Sequence, residues 1–239
     1  MIPILPAIAH LIIDRHATRI IIIGDIHGCL SEFEAMLVKV DFDKENDILI
    51  LVGDLIQKGP DSLGVIRAAI RHGAYSVRGN HESHLLESLL NPESKYYGDA
   101  DFAFGKNLSE EELNWIINLP LTIEVKRNNI IVVHAGFVPG VCKELQSYKD
   151  MLWIRTLENG IGSKKQPDDQ HILWCSKWTG PQFVVFGHAA KTGLQQHPHG
   201  LGIDTGCCYG RKLTAAIFLS DTHYTLHEIK SGETNRYPI

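Results

Sequence analysis

The 239-residue chain is poor in cysteine: there are five, Cys29, Cys142, Cys175, Cys207 and Cys208. The number is odd and no CxxC spacing occurs, which argues against a disulfide framework or a zinc–thiolate site and fits a reducing compartment. Basic excess is also lacking. The net charge is -5 and the pI about 6.2, unlike a protein that wraps nucleic acid non-specifically. An anionic substrate stays open, because bound metals make a site locally positive. No apolar run reaches the length of a membrane span. The apolar start, MIPILPAIAHLIID, lacks a basic n-region and is broken by Pro3, Pro6 and His10. It is expected to be folded structure rather than a signal peptide, and the location to be cytoplasmic. There is no internal repeat and no long low-complexity linker.

What is there is a recurring pattern. Apolar residues make up 44% of the chain, enough for a substantial core, and short β-branched runs end on polar residues of metal-ligand type. Arg19 to Ile23 leads to Asp25 and His27, Asp47 to Val52 to Asp54, and Tyr75 to Val77 to Asn80. Ile130 to Val133 leads to His134, and Phe183 to Phe186 to His188. Buried strands with polar tips suggest an α/β fold whose site lies at the carboxyl edge of a sheet.

Helices are expected between the strands. Ser31 and Glu34 read as a capping box before FEAMLVKV, and Ser109 and Glu112 as another before LNWIINL. Ser62 is expected to cap LGVIRAAIRH, which Gly73 ends. HESHLLESLL follows Asn80. Residues 201–229 read as antiparallel strands or hairpins. Residues 92–107 and 160–171 read as surface loops.

The polar tips carry the chemistry. Asp25 and His27, two apart in an extended segment, can point the same way, and a carboxylate with an imidazole suits Mn, Fe, Zn or Co. Asp54 can bridge two cations, which a two-metal site holds about 3.5–4 Å apart. Asn80 offers a neutral carbonyl oxygen. His81, His134 and His188 complete the set. Any one of these histidines alone is more often structural than ligating; the ordered series at strand ends is what points to a dinuclear centre. Two divalent ions bring +4 and the two aspartates -2, leaving a site of roughly +2, or +1 with a bridging hydroxide, that attracts phosphate.

GDIHG, GDLIQKGPDSL, RGNHE, HAG, FGH and IDTGCCYGRKLTA together resemble the PPP-type calcineurin-like metallophosphoesterases, within them the diadenosine tetraphosphatase and ApaH-like branch. The resemblance spans about residues 19 to 220. It implies an α/β fold of four layers, two facing mixed sheets flanked by helices, in a single domain over 1–239. It implies that Asp25, His27 and Asp54 hold one ion, and Asp54, Asn80, His134 and His188 a second, with Mn ahead of Fe, Zn, Co or Mg. It further implies that His81 protonates the leaving group or holds the phosphate, and that Lys58, Arg78 and Arg155 contact phosphate. Arg78 could instead be a structural partner of Glu82, and Arg155 a surface charge.

Departures from the family narrow the expectation. Protein phosphatases of this superfamily carry GDxVDRG, where this chain has GDLIQKG. Gln57 stands where an Asp would pair with the catalytic His, and Lys58 where an Arg would grip phosphate. Without a carboxylate partner, His81 is expected to be a weaker cation and a less firmly oriented acid. That favours phosphoanhydrides, whose leaving groups are weakly basic, over phosphoserine. Glu82 pulls the other way, being the choice of the protein phosphatases. The expected reaction is in-line attack of a metal-bound hydroxide on a phosphoanhydride, best guessed as diadenosine tetraphosphate giving two ADP. The alternatives are a serine/threonine phosphoprotein phosphatase, a polyphosphatase or RNA-cap pyrophosphohydrolase, and an inactive fold serving as a binding module. Partners are expected to be small nucleotides or polyphosphate, with no membrane and no stable protein partner.

Several residues are set aside. His197 and His199 read as a polar turn, and Cys207 and Cys208 as packing. Asp204 reads equally as a turn cap or a support for the site. Tyr96, Tyr97, Phe102 and Phe104 could stack on a base or form the apolar underside of a loop.

Overall fold

The computed structural model describes residues 6, 7, 9–219 and 222–232. Its strands in chain order are β1 (His10–Ile13), β2 (Arg19–Ile23), β3 (Asp47–Leu51), β4 (Tyr75–Ser76), β5 (Thr122–Val125), β6 (Ile130–Val133) and β7 (Thr156–Glu158). They continue with β8 (Ile161–Ser163), β9 (Ile172–Leu173), β10 (Phe183–Phe186), β11 (Gln195–His197), β12 (Gly200–Gly202), β13 (Lys212–Phe218) and β14 (Tyr224–Lys230). The helices are α1 (Leu30–Lys39), α2 (Ser62–Arg71), α3 (Asn80–Leu90), α4 (Glu110–Ile117) and α5 (Tyr148–Trp153).

Two mixed sheets face each other. One has five strands in the order β14-β13-β2-β3-β4, and the other six in the order β1-β5-β6-β10-β12-β11. The side-chain alternation of the strands explains the stacking. In β2, Ile20 and Ile22 pack between the sheets, while Ile21 and Ile23 pack against the helical side with Phe33, Met36, Val65 and Leu85. In β10, Phe183 and Val185 pack between the sheets, and Val184 and Phe186 pack outward against Trp174, Met151 and Leu152. Strands buried on both faces must be apolar throughout, which is why they read as continuous runs. The expected fold class, two facing mixed sheets flanked by helices, is the one found. No disulfide forms among the described residues.

Three local expectations are corrected. Helix α1 starts one residue before Ser31, with Cys29 at the cap position and no side-chain cap, so Ser31 and Glu34 form no capping box. Gly28, at φ +71, delivers the chain directly into the first turn. Helix α2 is capped by Asp61, which accepts from the Gly64 N–H. Ser62 has another partner, its Oγ accepting from the Gln57 N–H at 2.7 Å. Residues 160–171 are not simply a loop: β8 pairs with β7, and β9 joins them in a third sheet of three strands. The expected box at Ser109 and Glu112 is present, with both reciprocal hydrogen bonds. The hairpin expected after residue 201 is β13–β14. Residues 92–107 contain a 3-10 helix at Ala100–Asn107 that buries Phe102.

No helix among the described residues is long and apolar enough to cross a membrane.

Candidate active site

The five polar strand tips converge. Asp25 and His27 follow β2, Asp54 follows β3, Asn80 opens α3 just after β4, and His134 and His188 follow β6 and β10. The first three strands lie in one sheet and the last two in the other, so the site straddles the carboxyl edges of both.

Backbone conformation aims these residues. His27, Asp54, Gln57, Lys58 and His188 all have positive φ, between 47° and 69°. This region is costly for side chains other than glycine, and its concentration in one place marks a site where local strain is held by the surroundings. Glu82 supplies part of that hold. It is buried, and its carboxylate accepts from the N–H groups of Asp54, Leu55 and Gly79 at 2.8–2.9 Å. Glycine leaves room for the carboxylates. A Cβ on Gly79 would come within 2.2 Å of Asp54 Oδ1, and one on Gly187 within 1.9 Å of Asp25 Oδ1.

Asp54 is central. Its Oδ2 lies 3.5 Å from His27 Nε2 and 3.8 Å from His81 Nε2, and its Oδ1 lies 3.5 Å from His134 Nε2. Two sets of potential ligand atoms therefore share it, His27 with His81 on one side and His134 with His188 on the other. Asn80 Oδ1 is 3.1 Å from His134 Nε2. His27 Nδ1 bonds the Ile56 carbonyl at 2.9 Å and His134 Nδ1 the Val52 carbonyl at 2.8 Å. Such bonds fix the ring and the tautomer, presenting Nε2 lone pairs inward, the arrangement of metal-binding histidines. Asp25 accepts from the His188 N–H through both carboxylate oxygens.

The buried charges of the site oppose one another. Burial, then Asp204 and Asp54, push the Asp25 carboxyl well above its usual range. Burial also opposes the charge on Asp54, yet His134, His81, His27 and Lys58 hold its carboxyl well below the usual range. His188 Nε2 is buried with no hydrogen-bond partner. A buried acceptor of that kind is expensive unless something binds it. Grouped carboxylates, inward lone pairs and an orphaned imidazole nitrogen fit divalent cations, and the donor set of imidazole, carboxylate and amide oxygen fits first-row metals.

Around this centre lies a cleft of about 160 Å³ lined by His27, Asp54, Lys58, Asn80, His81, Arg155, Gln166, His188, Lys191, Asp204 and Tyr209. Lys58 Nζ is 2.9 Å from His27 Nε2 and 5.2 Å from the centre of the Tyr209 ring. Gln57 itself orients His81. Its Nδ1 meets Gln57 Oε1, while the Gln57 amide nitrogen lies 3.4 Å from Asp101. Burial and Lys58, against the pull of Asp54, lower the His81 pKa to about 4.

Arg78 departs from its expected place. It is fully buried and does not line the cleft; its guanidinium donates to the Ile117 carbonyl, and Tyr148 and Glu82 support its charge. Its partners are interior, chiefly the Ile117 carbonyl and Tyr148. Arg155 is no mere surface charge, since it reaches the cleft. Asp204 does both of the things considered for it: it caps the turn at Gly206 and lines the cleft. It follows β12, which is parallel to β10, so the strand-tip pattern applies to it as well. Lys191 and Gln166 carry no signal in the sequence, and Tyr209 lies in the IDTGCCYGRKLTA segment without having been singled out.

The calcineurin-like phosphoesterase family model matches residues 18–226. The chain is 30% identical to the asymmetrical bis(5'-nucleosyl)-tetraphosphatase PrpE of Oceanobacillus iheyensis over 223 residues, covering 84% of this chain and 88% of that one. It is also 30% identical to the symmetrical bis(5'-nucleosyl)-tetraphosphatase of Wigglesworthia glossinidia brevipalpis over 257 residues, covering 81% and 93%. Among solved structures, one described as a candidate diadenosine tetraphosphatase superposes with a TM-score of 0.84 at 33% identity, covering 95% of this chain and 99% of that one. A protein serine/threonine phosphatase from Saccharomyces cerevisiae superposes with a TM-score of 0.65 at 16% identity, covering 96% and 85%, a likeness of fold alone. The chain belongs to the calcineurin-like phosphoesterase family and is a metal-dependent phosphohydrolase.

Proposed function

We propose that the chain hydrolyses the phosphoanhydride bonds of dinucleoside tetraphosphates, cutting diadenosine tetraphosphate symmetrically to two ADP, with two manganese ions in the cleft. The observation that carries this is the placement of Asp54, whose two oxygens address two separate groups of imidazoles. A two-metal site needs such a bridging carboxylate. Asp25, His27 and Asp54 would hold one ion, and Asp54, Asn80, His134 and His188 the other. When bound, the ions supply Lewis acidity and a water that ionises near neutral pH.

The remaining work falls to the chain. Lys58 and Arg155 place positive charge in the cleft, where they bind phosphate oxygens and stabilise the charge that grows on them. Lys58 stays charged despite burial because Asp54 and Tyr209 support it. His81 gives its Nδ1 proton to the neutral oxygen of Gln57, so Nε2 faces inward as an acceptor. That suits holding a water or a protonated phosphate oxygen more than delivering a proton. A nucleoside diphosphate departs without much proton delivery, and a serine alkoxide does not. Gln57 thus favours phosphoanhydrides.

The two relatives differ in the cleavage their names describe, and the products discriminate. The test is anion-exchange chromatography of diadenosine tetraphosphate after incubation with the protein and Mn²⁺, with a chelator control. ADP as the sole nucleotide product, abolished by chelator, is expected. ATP with AMP overturns the symmetrical cut, and intact substrate overturns the substrate.

A further inference from the structure

The cleft holds about 160 Å³, well under the roughly 300–1,000 Å³ of pockets that enclose a drug-sized ligand. It accommodates the reacting phosphoryl group and its neighbours, so most of a dinucleotide must lie on the surface beside it. One flank of the cleft has the chemistry to receive that remainder. His84, one turn along α3 from His81, has its ring centre 6.1 Å from the His81 ring. Tyr96 stacks on His84 at 4.1 Å, and Trp153 lies 6.0 Å from it, tilted by 34°. All three rings are partly exposed. They come from α3, the segment after it, and α5, so the assembly belongs to the tertiary fold and to no single motif.

Cations accompany the rings. Lys95 Nζ lies 4.6 Å from the Tyr96 ring centre and Lys164 Nζ 4.5 Å from that of Trp153. Lys149, Arg155 and Lys95 all act on Lys164 strongly enough to lower its pKa, behind burial and against the pull of Asp150. Among the described residues, Lys95, Lys149 and Lys164 take part in no ion pair. Arg155 joins the two regions: it lines the cleft, and its guanidinium bonds the Lys164 carbonyl at 3.0 Å. On a chain of net charge -5, a run of cations from the cleft to an aromatic wall, with Lys95, Lys149 and Lys164 in no ion pair among the described residues, is a local exception.

We propose that His84, Tyr96 and Trp153 form the docking wall for the distal nucleoside of the substrate, with Lys164 and Lys95 holding the phosphates that lead to it. The inference rests on the nucleotide reading of the cleft above. Bases stack on such rings with little regard to sequence, and cations alongside neutralise the phosphate chain.

The test compares diadenosine tetraphosphate with inorganic tripolyphosphate, a phosphoanhydride without a base, in the Mn²⁺-loaded protein. In Trp153→Leu the ratio of kcat/KM for the two substrates should move about tenfold against the dinucleotide, mainly through KM. Tyr96→Leu, on another element, should move it the same way. Equal losses on both substrates, or an unchanged ratio in both variants, overturn the proposal. Should the wild-type protein cleave tripolyphosphate and leave the dinucleotide intact, the substrate reading fails first. Quenching of tryptophan fluorescence by ADP then decides the wall itself: quenching lost in Trp153→Leu retains it, and no quenching in the wild type removes it.

Discussion

Gln57 and His81 show how one amide sets the range of leaving groups. The amide oxygen orients the imidazole as a carboxylate would, without the negative charge that stabilises an imidazolium. Gln57→Asp should therefore raise turnover of a phosphoserine peptide at least tenfold more than turnover of a phosphoanhydride, since general acid catalysis contributes roughly 10²–10⁴-fold. Parallel kinetics on the two substrates check this, and equal changes contradict it. The same scale shows what a sequence conveys. Asp25, His27, Asp54, Asn80, His134 and His188 are legible because each ends an apolar run; His27, Asp54, His134 and His188 bring ligand atoms together, Asn80 joins through His134 and Asp25 through the His188 N–H. Arg78 misled because RGNHE places a cation beside a ligand in sequence, while the turn into α3 sends that side chain into the interior. Lys191 reaches the cleft through tertiary placement alone.

Helix starts were partly legible. The box at Ser109 was found because the chain before α4 is extended, with Ser109 at ψ 165. At α1 the same letters fall two residues too late, because the chain enters the helix from the constrained loop of His27 and Gly28. At α2 two good caps adjoin, and the loop decides between them: Ser62 is taken by the Gln57 N–H and Asp61 caps the helix. Asp61→Ala should cost about 1 kcal/mol, lowering the melting temperature by roughly 2–4 °C. A thermal melt checks it; an unchanged midpoint would show that the cap bond is not what anchors α2.

Across the whole molecule, apolar runs announced buried strands but not which sheet each would join. That choice depends on pairing between distant segments, such as β13 antiparallel to β2 and β1 parallel to β5. The sheets matter because the site draws on both: Asp25, His27, Asp54 and Asn80 follow strands of one, His134 and His188 strands of the other. Asp54 stands where they meet, and two ions are expected with Asp54 shared between them. The most direct measurement is the activity of chelator-stripped protein against added equivalents of Mn²⁺. Activity on a phosphoanhydride should rise to a plateau at about two ions per chain, and Asp54→Asn should leave almost none at any Mn²⁺ level. A plateau at one ion, or full activity in chelator, would contradict a dinuclear centre.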